Sequence, residues 1–93
     1  MSKKSPTPQK RVRKTLRTEE AIGSLLRELR LTNNWTQEDL AAASDIDRTY
    51  VSLLERYQRD PSLSIVIQLA RALNMSPGEF VDEVVKRMPS PKS

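Results

Sequence analysis

Apolar residues recur along this chain at spacings of three and four, in five blocks separated by short polar breaks. That is the period of helices that each bury one face. The first block runs from about Thr18 to Leu31, with Ile22, Leu25, Leu26 and Leu29 on one stripe. Thr18 is its expected cap, and Glu19 and Glu20 suit the positive end of a helix. Asn33-Asn34 is expected to end it, because asparagine tolerates the left-handed conformation common at helix C-termini. The second block is short, about Gln37 to Ser44. Thr36 is its cap, Asp39 sits at the reciprocal capping position, and Trp35 can pack on Leu40 as a hydrophobic staple. The third opens at the cap Asp47, with Ile46 and Val51 as its staple pair and Val51 and Leu54 facing inward. The fourth, about Leu63 to Leu73, is apolar almost all round, the pattern of a helix at the centre of a bundle. The fifth, about Pro77 to Arg87, starts from Ser76 with Pro77 in its first turn and Glu79 closing a capping box. No stretch alternates as a strand would, so the expected fold class is all-α.

The ends differ from this body. Residues 1–17 are rich in Lys, Arg, Ser, Thr and Pro and read as an arm disordered in the free protein; residues 89–93 read as a second short tail. The domain proper is expected over 18–88. Of the 16 basic residues, Lys3, Lys4, Lys10, Arg11, Arg13, Lys14 and Arg17 fall within 1–18, which holds no acid. The remaining bases face all 12 acids, so a +7 arm precedes a body of net charge −3. Such asymmetry suits an arm that touches a polyanion, although a basic tail can also be merely solubilising.

Cysteine and histidine are both absent, which removes disulfides, thiolate and imidazole metal ligands and the commonest general base. No metal or other cofactor is expected, and no pairing of carboxylates or lysines suggests an enzyme. No apolar run approaches the roughly 18 residues that a membrane span needs. The basic N-terminus has no apolar segment behind it, so it does not read as a secretory signal. These features fit a soluble cytoplasmic protein.

Thr36 to Arg56 carries the functional pattern. Two short capped helices are joined by Ser44-Asp45-Ile46, with the small Ala41 where they must cross closely. That geometry lets the second helix lie in a DNA major groove. Arg48, Thr49 and Ser52 line its polar edge; Arg48 can pair with guanine, and Thr49 offers a hydroxyl or a methyl to a base.

On these residues the chain resembles the lambda-repressor-like (Cro/C1-type, XRE) helix-turn-helix family. Ile22-Gly23-x-x-Leu26-Arg27-x-Leu29-Arg30 and Thr36-Gln37-Glu38-Asp39-Leu40-Ala41 carry the likeness. It continues through Val51-Ser52-x-Leu54-Glu55-Arg56, Pro61-Ser62-Leu63 and Leu69-Ala70-Arg71-Ala72-Leu73. The resemblance implies a five-helix domain whose third helix reads bases through Arg48, Thr49 and Ser52. It implies that Gln37 contacts a phosphate and buttresses that helix, and that Arg56, Gln58 and Arg59 meet the DNA backbone. Asp47 to Ser52 is also similar to the recognition helix of restriction-modification controller proteins, which implies Tyr50 near DNA and Arg59 as a candidate base reader. Tyr50 otherwise reads as a packing residue. Two positions depart from the family pattern, where glycine is usual: Asp45 in the turn and Tyr57 after Glu-Arg. Aspartate reaches a left-handed conformation with modest strain. A bulky residue there is an outlier, so helix 3 is expected to end differently or to run longer. Glu55 reads as structural, paired with a nearby arginine, and Trp35 as core.

With a DNA-binding body in place, the arm, Arg13 and Lys14 included, is expected to wrap the duplex or enter a minor groove. The stripe Val81, Val84, Val85 and Met88 is expected to be the interface of a homodimer. The expected function is a bacterial or phage-derived transcriptional regulator, nucleoid-associated, that binds a roughly palindromic operator on double-stranded DNA. No segment remains for a ligand sensor, so its regulation is expected to come from concentration, dimerisation or a partner. Two alternatives stand beside it: an antitoxin-type module that binds a toxin or other protein, and non-specific nucleic-acid binding dominated by the arm.

Overall fold

The computed structural model describes residues 17–89. They form α1 (Thr18–Thr32), α2 (Gln37–Ser44), α3 (Arg48–Glu55), α4 (Leu63–Ala72) and α5 (Pro77–Lys86), with no strand among the described residues. The five expected helices are present, each within a residue or two of its expected bounds. The arm, with Arg13 and Lys14, lies outside the described residues up to Leu16, as does the last part of the C-terminal tail.

The helix starts follow the capping chemistry written in the sequence. The hydroxyls of Thr36, Ser62 and Ser76 accept from the backbone N–H groups of Asp39, Ile65 and Glu79, and Asp47 accepts from Thr49. Asp39 and Glu79 return the bond to the N–H of Thr36 and Ser76 at 2.8 and 3.0 Å. α1 is the exception: Arg17, one residue before the expected Thr18, occupies the cap position, and its N–H donates to Glu20 at 3.1 Å. Replacing Thr36 with Ala removes an acceptor from the first turn of an eight-residue helix. Urea denaturation is expected to register a loss of about 1 kcal/mol.

The ends of α1, α2, α3 and α4 share one device. Asn34, Asp45, Tyr57 and Asn74 adopt φ of 59°, 59°, 65° and 63°. The residue after each donates its N–H back across the last turn, Trp35 to Arg30, Ile46 to Ala41, Gln58 to Leu53 and Met75 to Ala70. These are Schellman closures. Asp45 thus behaves as expected. Tyr57 does not: α3 neither ends differently nor runs on, and the tyrosine itself takes the left-handed conformation.

α1 packs on α3 and α5, α2 on α3 and α4, and α4 on α5. Leu25, Leu26, Leu40, Val51, Leu54, Leu69 and Phe80 are the largest fully buried side chains. Two expectations need correction. α4 is not the buried centre, because it packs chiefly on α2 and α5; Val66, Leu69 and Ala70 are buried while Leu63 stands 70% exposed. The stripe on α5 also divides. Phe80 and Val84 are four apart and point into the protomer's own core, Val84 at 6% exposure, and Met88 packs against that core. Val81 and Val85, each turned about 100° from that face, are exposed at 44% and 58%. Met88 is half-buried, so Val81 and Val85 are the most open part of the stripe.

Candidate nucleic-acid interface

The recognition helix is held from three sides. Its inward face, Val51 and Leu54, is fully buried. Its start is tied to the α2–α3 turn, where Gln68 of α4 donates to the carbonyls of Ser44 and Asp45 at 3.1 and 3.4 Å. Its end lies against α1 at Gly23: a Cβ there would stand 2.4 Å from the Leu54 carbonyl oxygen and 2.8 Å from the Tyr57 ring. Only a residue with no side chain lets the two helices approach so closely. The Tyr57 ring closes over the same spot, which is the packing that keeps this side chain at a positive φ.

At the buried junction of α1 and α3, Arg30 and Glu55 form a two-pronged ion pair. Arg30 Nε donates to Glu55 Oε2 at 2.7 Å and Nη2 to Oε1 at 2.9 Å. Arg30 Nη1 donates to the Trp35 carbonyl at 2.9 Å, tying in the entry to α2. Gln37 Nε2 donates to Glu55 Oε1 at 3.1 Å, and Arg48 Nη1 lies 3.5 Å from Gln37 Oε1. A chain of polar contacts therefore runs from the core to the first residue of the recognition helix. Hydrogen bonding to Glu55 raises the Arg30 pKa above the ordinary arginine value, against the effect of burial, so the guanidinium is charged throughout the working pH range.

Arg48 and Thr49 are exposed at the start of α3, while Tyr50 and Ser52 are half-buried. Tyr50 packs against the core. Arg56, Gln58 and Arg59 are exposed beyond the helix end, with Arg56 Nε donating to the Ser52 carbonyl at 3.4 Å. Gln37 is half-buried beside Arg48. The structure thus gathers Gln37, Arg48 and Thr49 at one end of α3 and Arg56, Gln58 and Arg59 at the other. Glu55 pairs with an arginine, as expected. Arg30 and the contact role of Gly23 were not foreseen. The signal for Arg30 was present: it follows Ile22 and Leu26 at spacings of four, on the stripe that faces inward.

Two short capped helices, a tight left-handed turn and an exposed polar start to the second helix define a helix-turn-helix unit within an all-α domain. The helix-turn-helix family profile matches residues 26–80, and the chain belongs to this family. It is 44% identical over 57 residues to control protein C.SmaI of Serratia marcescens, covering 61% of this chain and 68% of that one. The restriction-modification controller protein C.AhdI of Aeromonas hydrophila superposes with a TM-score of 0.63 at 44% identity, over 67% of this chain and 94% of its own. The controller protein C.Esp1396I, solved as a tetramer with its natural 35-base-pair operator, gives 0.69 at 30% identity over 75% and 92%. Variants of that protein are also similar to this chain: one replaces an arginine by alanine, another replaces a tyrosine two positions on by phenylalanine and is bound to an operator site. Among the described residues, no helix is long and apolar enough to cross a membrane.

Proposed function

We propose that this chain is a sequence-specific transcriptional regulator of the controller type, which binds a two-fold operator as a homodimer with α3 in the major groove. The observation that carries the reading is the start of α3. Arg48 and Thr49 are exposed there on a helix whose position is fixed by the core, by Gly23 and by the Asp47 cap. Arg48 can bridge the O6 and N7 of guanine, and Thr49 can meet a neighbouring base. Tyr50 joins them on a spacing: Arg48-Thr49-Tyr50 is the one Arg-x-Tyr in the sequence, and the arginine and tyrosine altered in C.Esp1396I are likewise two apart. Arg56, Gln58 and Arg59, and the backbone N–H groups at the start of α2 beside Gln37, serve the phosphates. Arg13 and Lys14 of the arm add further phosphate contacts. Val81 and Val85 meet their counterparts in a second copy, setting two recognition helices about 34 Å apart. On this reading the protein is cytoplasmic and works by binding alone.

Selection of bound duplexes from a random pool at about 150 mM salt tests the proposal, since non-specific attraction is weak there. An inverted repeat with half-sites about 10 base pairs apart is the expected product. Arg48→Ala is then expected to relax one position in each half-site by roughly 5- to 150-fold, the worth of one good base contact of about 1–3 kcal/mol. No enriched sequence, with binding that fades uniformly as salt rises, would sink the operator reading and favour a module that binds another protein.

A further inference from the structure

We infer that Tyr57 is a positioning residue for DNA binding: its ring, docked on Gly23, holds Gln58 and Arg59 in one conformation before the duplex arrives. The inference rests on the phosphate-contacting role proposed above for those two residues. Of the four left-handed helix ends, Asn34, Asp45 and Asn74 carry side chains that reach this conformation with modest strain. Tyr57, at φ 65°, is the bulky one, and such a residue stays there only where its surroundings hold it. Glycine would close the same turn without strain. Core filling does not account for the tyrosine either, because 45% of it remains exposed. What the ring adds is a contact between the end of α3 and α1: its Cδ1 and Cε1 atoms lie 2.8 and 3.0 Å from where a Gly23 Cβ would stand.

That contact falls one residue before the segment that meets the phosphates. The Gln58 N–H donates to the Leu53 carbonyl at 2.9 Å, a closure made only while Tyr57 keeps its positive φ. Tyrosine by itself prefers a negative φ, so ring and turn are coupled, and lifting the ring off Gly23 releases both. On the far side, Pro61 is half-buried and has a fixed φ. Ser62 next to it caps α4, its Oγ accepting from the Ile65 N–H at 3.2 Å. Gln58 and Arg59, both exposed, therefore lie on a short stretch anchored by the ring at one end and by the α4 cap at the other. A segment ordered in advance binds without the entropic cost of ordering it on the duplex. Tyr57 acts through its neighbours, by giving up backbone ease for a fixed direction of the chain.

Affinity for the selected operator, measured over a range of salt, separates this role from a merely structural one. The proteins are the full chain, Tyr57→Gly, Tyr57→Phe, the pair Gln58→Ala with Arg59→Ala, and that pair combined with Tyr57→Gly. Tyr57→Gly keeps the turn and removes the ring. It is expected to weaken binding by roughly 2- to 13-fold, the cost of ordering one flexible element. Its log–log salt slope is expected to be unchanged, because the same phosphates are met once the protein is bound; a slope shallower by about 0.9 overturns the inference. Tyr57→Phe keeps the ring and should bind as the full chain does. A loss there would make the phenol hydroxyl itself the DNA contact and overturn the inference. With Gln58 and Arg59 already replaced, Tyr57→Gly should cost nothing more; an undiminished loss in that background would mark a general weakening of the fold and overturn it. Backbone 15N order parameters of the free full chain supply a test that needs no variant. Values of about 0.85 are expected at Gln58 and Arg59, and values below about 0.6 overturn the inference. Full affinity after Gln58→Ala with Arg59→Ala overturns it too, along with the phosphate role of that segment, and leaves the reading of α3 intact. A full chain that selects no sequence overturns the proposed function itself, and this inference with it.

Discussion

Glu55→Ala is expected to remove about 3–5 kcal/mol of stability, a large share of the roughly 5–15 kcal/mol that holds a small domain folded. The reason is what the change leaves behind. Arg30 is 9% exposed at its side chain and gives two of its hydrogen bonds to the Glu55 carboxylate. With alanine there, a guanidinium stays buried with only the Trp35 carbonyl for a partner. Breaking one side of a buried pair costs far more than removing both. Arg30→Met with Glu55→Met is therefore expected to recover most of the loss, because two apolar side chains can fill the same volume. Urea denaturation followed by circular dichroism reads both variants, and a Glu55→Ala protein as stable as the parent would refute the account. The raised Arg30 pKa adds a pH statement. Its contribution is fully present below the ordinary arginine range and is lost only as pH rises through the raised folded value, far above neutrality. Arg30 itself therefore brings no pH dependence to stability near neutrality.

The second large effect is expected at Gly23. Gly23→Val should cost about 3 kcal/mol, the upper end for an overpacked core. The atom nearest to a new Cβ is the Leu54 carbonyl oxygen, 2.4 Å away. A flexible side chain could turn aside; a backbone carbonyl in the last turn of α3 moves only if the helix moves. α1 and the recognition helix must then separate, and the loss of stability should come with weaker operator binding by the fraction that remains folded. Truncating Tyr57 to Ala in the Gly23→Val background removes the ring contact at 2.8 Å and leaves the carbonyl contact in place. Partial rescue is the expected result. Full rescue would mean that the ring, not the backbone, sets the close approach.

The helices were legible because their signals are local. Thr36, Asp47 and Ser76 are caps whichever fold surrounds them, and the apolar stripes name the faces that turn inward. What was harder to read depends on the partner each helix meets. α4 is apolar nearly all round, yet the number of neighbours available to cover it is a property of the assembly, so Leu63 is left exposed. Val81 and Val84 are three apart on one helical stripe, but Phe80 draws Val84 inward and leaves Val81 out. Tyr57 defeated a backbone rule, because a tertiary contact with Gly23 outweighs the local preference against a positive φ. The candidate DNA-facing residues were readable from pattern, whereas the polar chain behind them needed the spatial meeting of three helices.

The four glycine-free helix ends bear on the denatured chain as much as on the native one. Glycine at positions 34, 45, 57 and 74 would fit the left-handed conformation without strain, but would give the unfolded ensemble more backbone states to explore. Asn, Asp and Tyr accept some native strain and begin from a narrower ensemble, two opposing effects of similar size, roughly 1 kcal/mol each. Folding this chain therefore requires less disorder to be given up at its connections than a glycine-rich version would demand. Heat should tell the two apart: exchanging Asn34 and Asn74 for glycine is a change whose entropic disadvantage grows with temperature while the relief of strain does not.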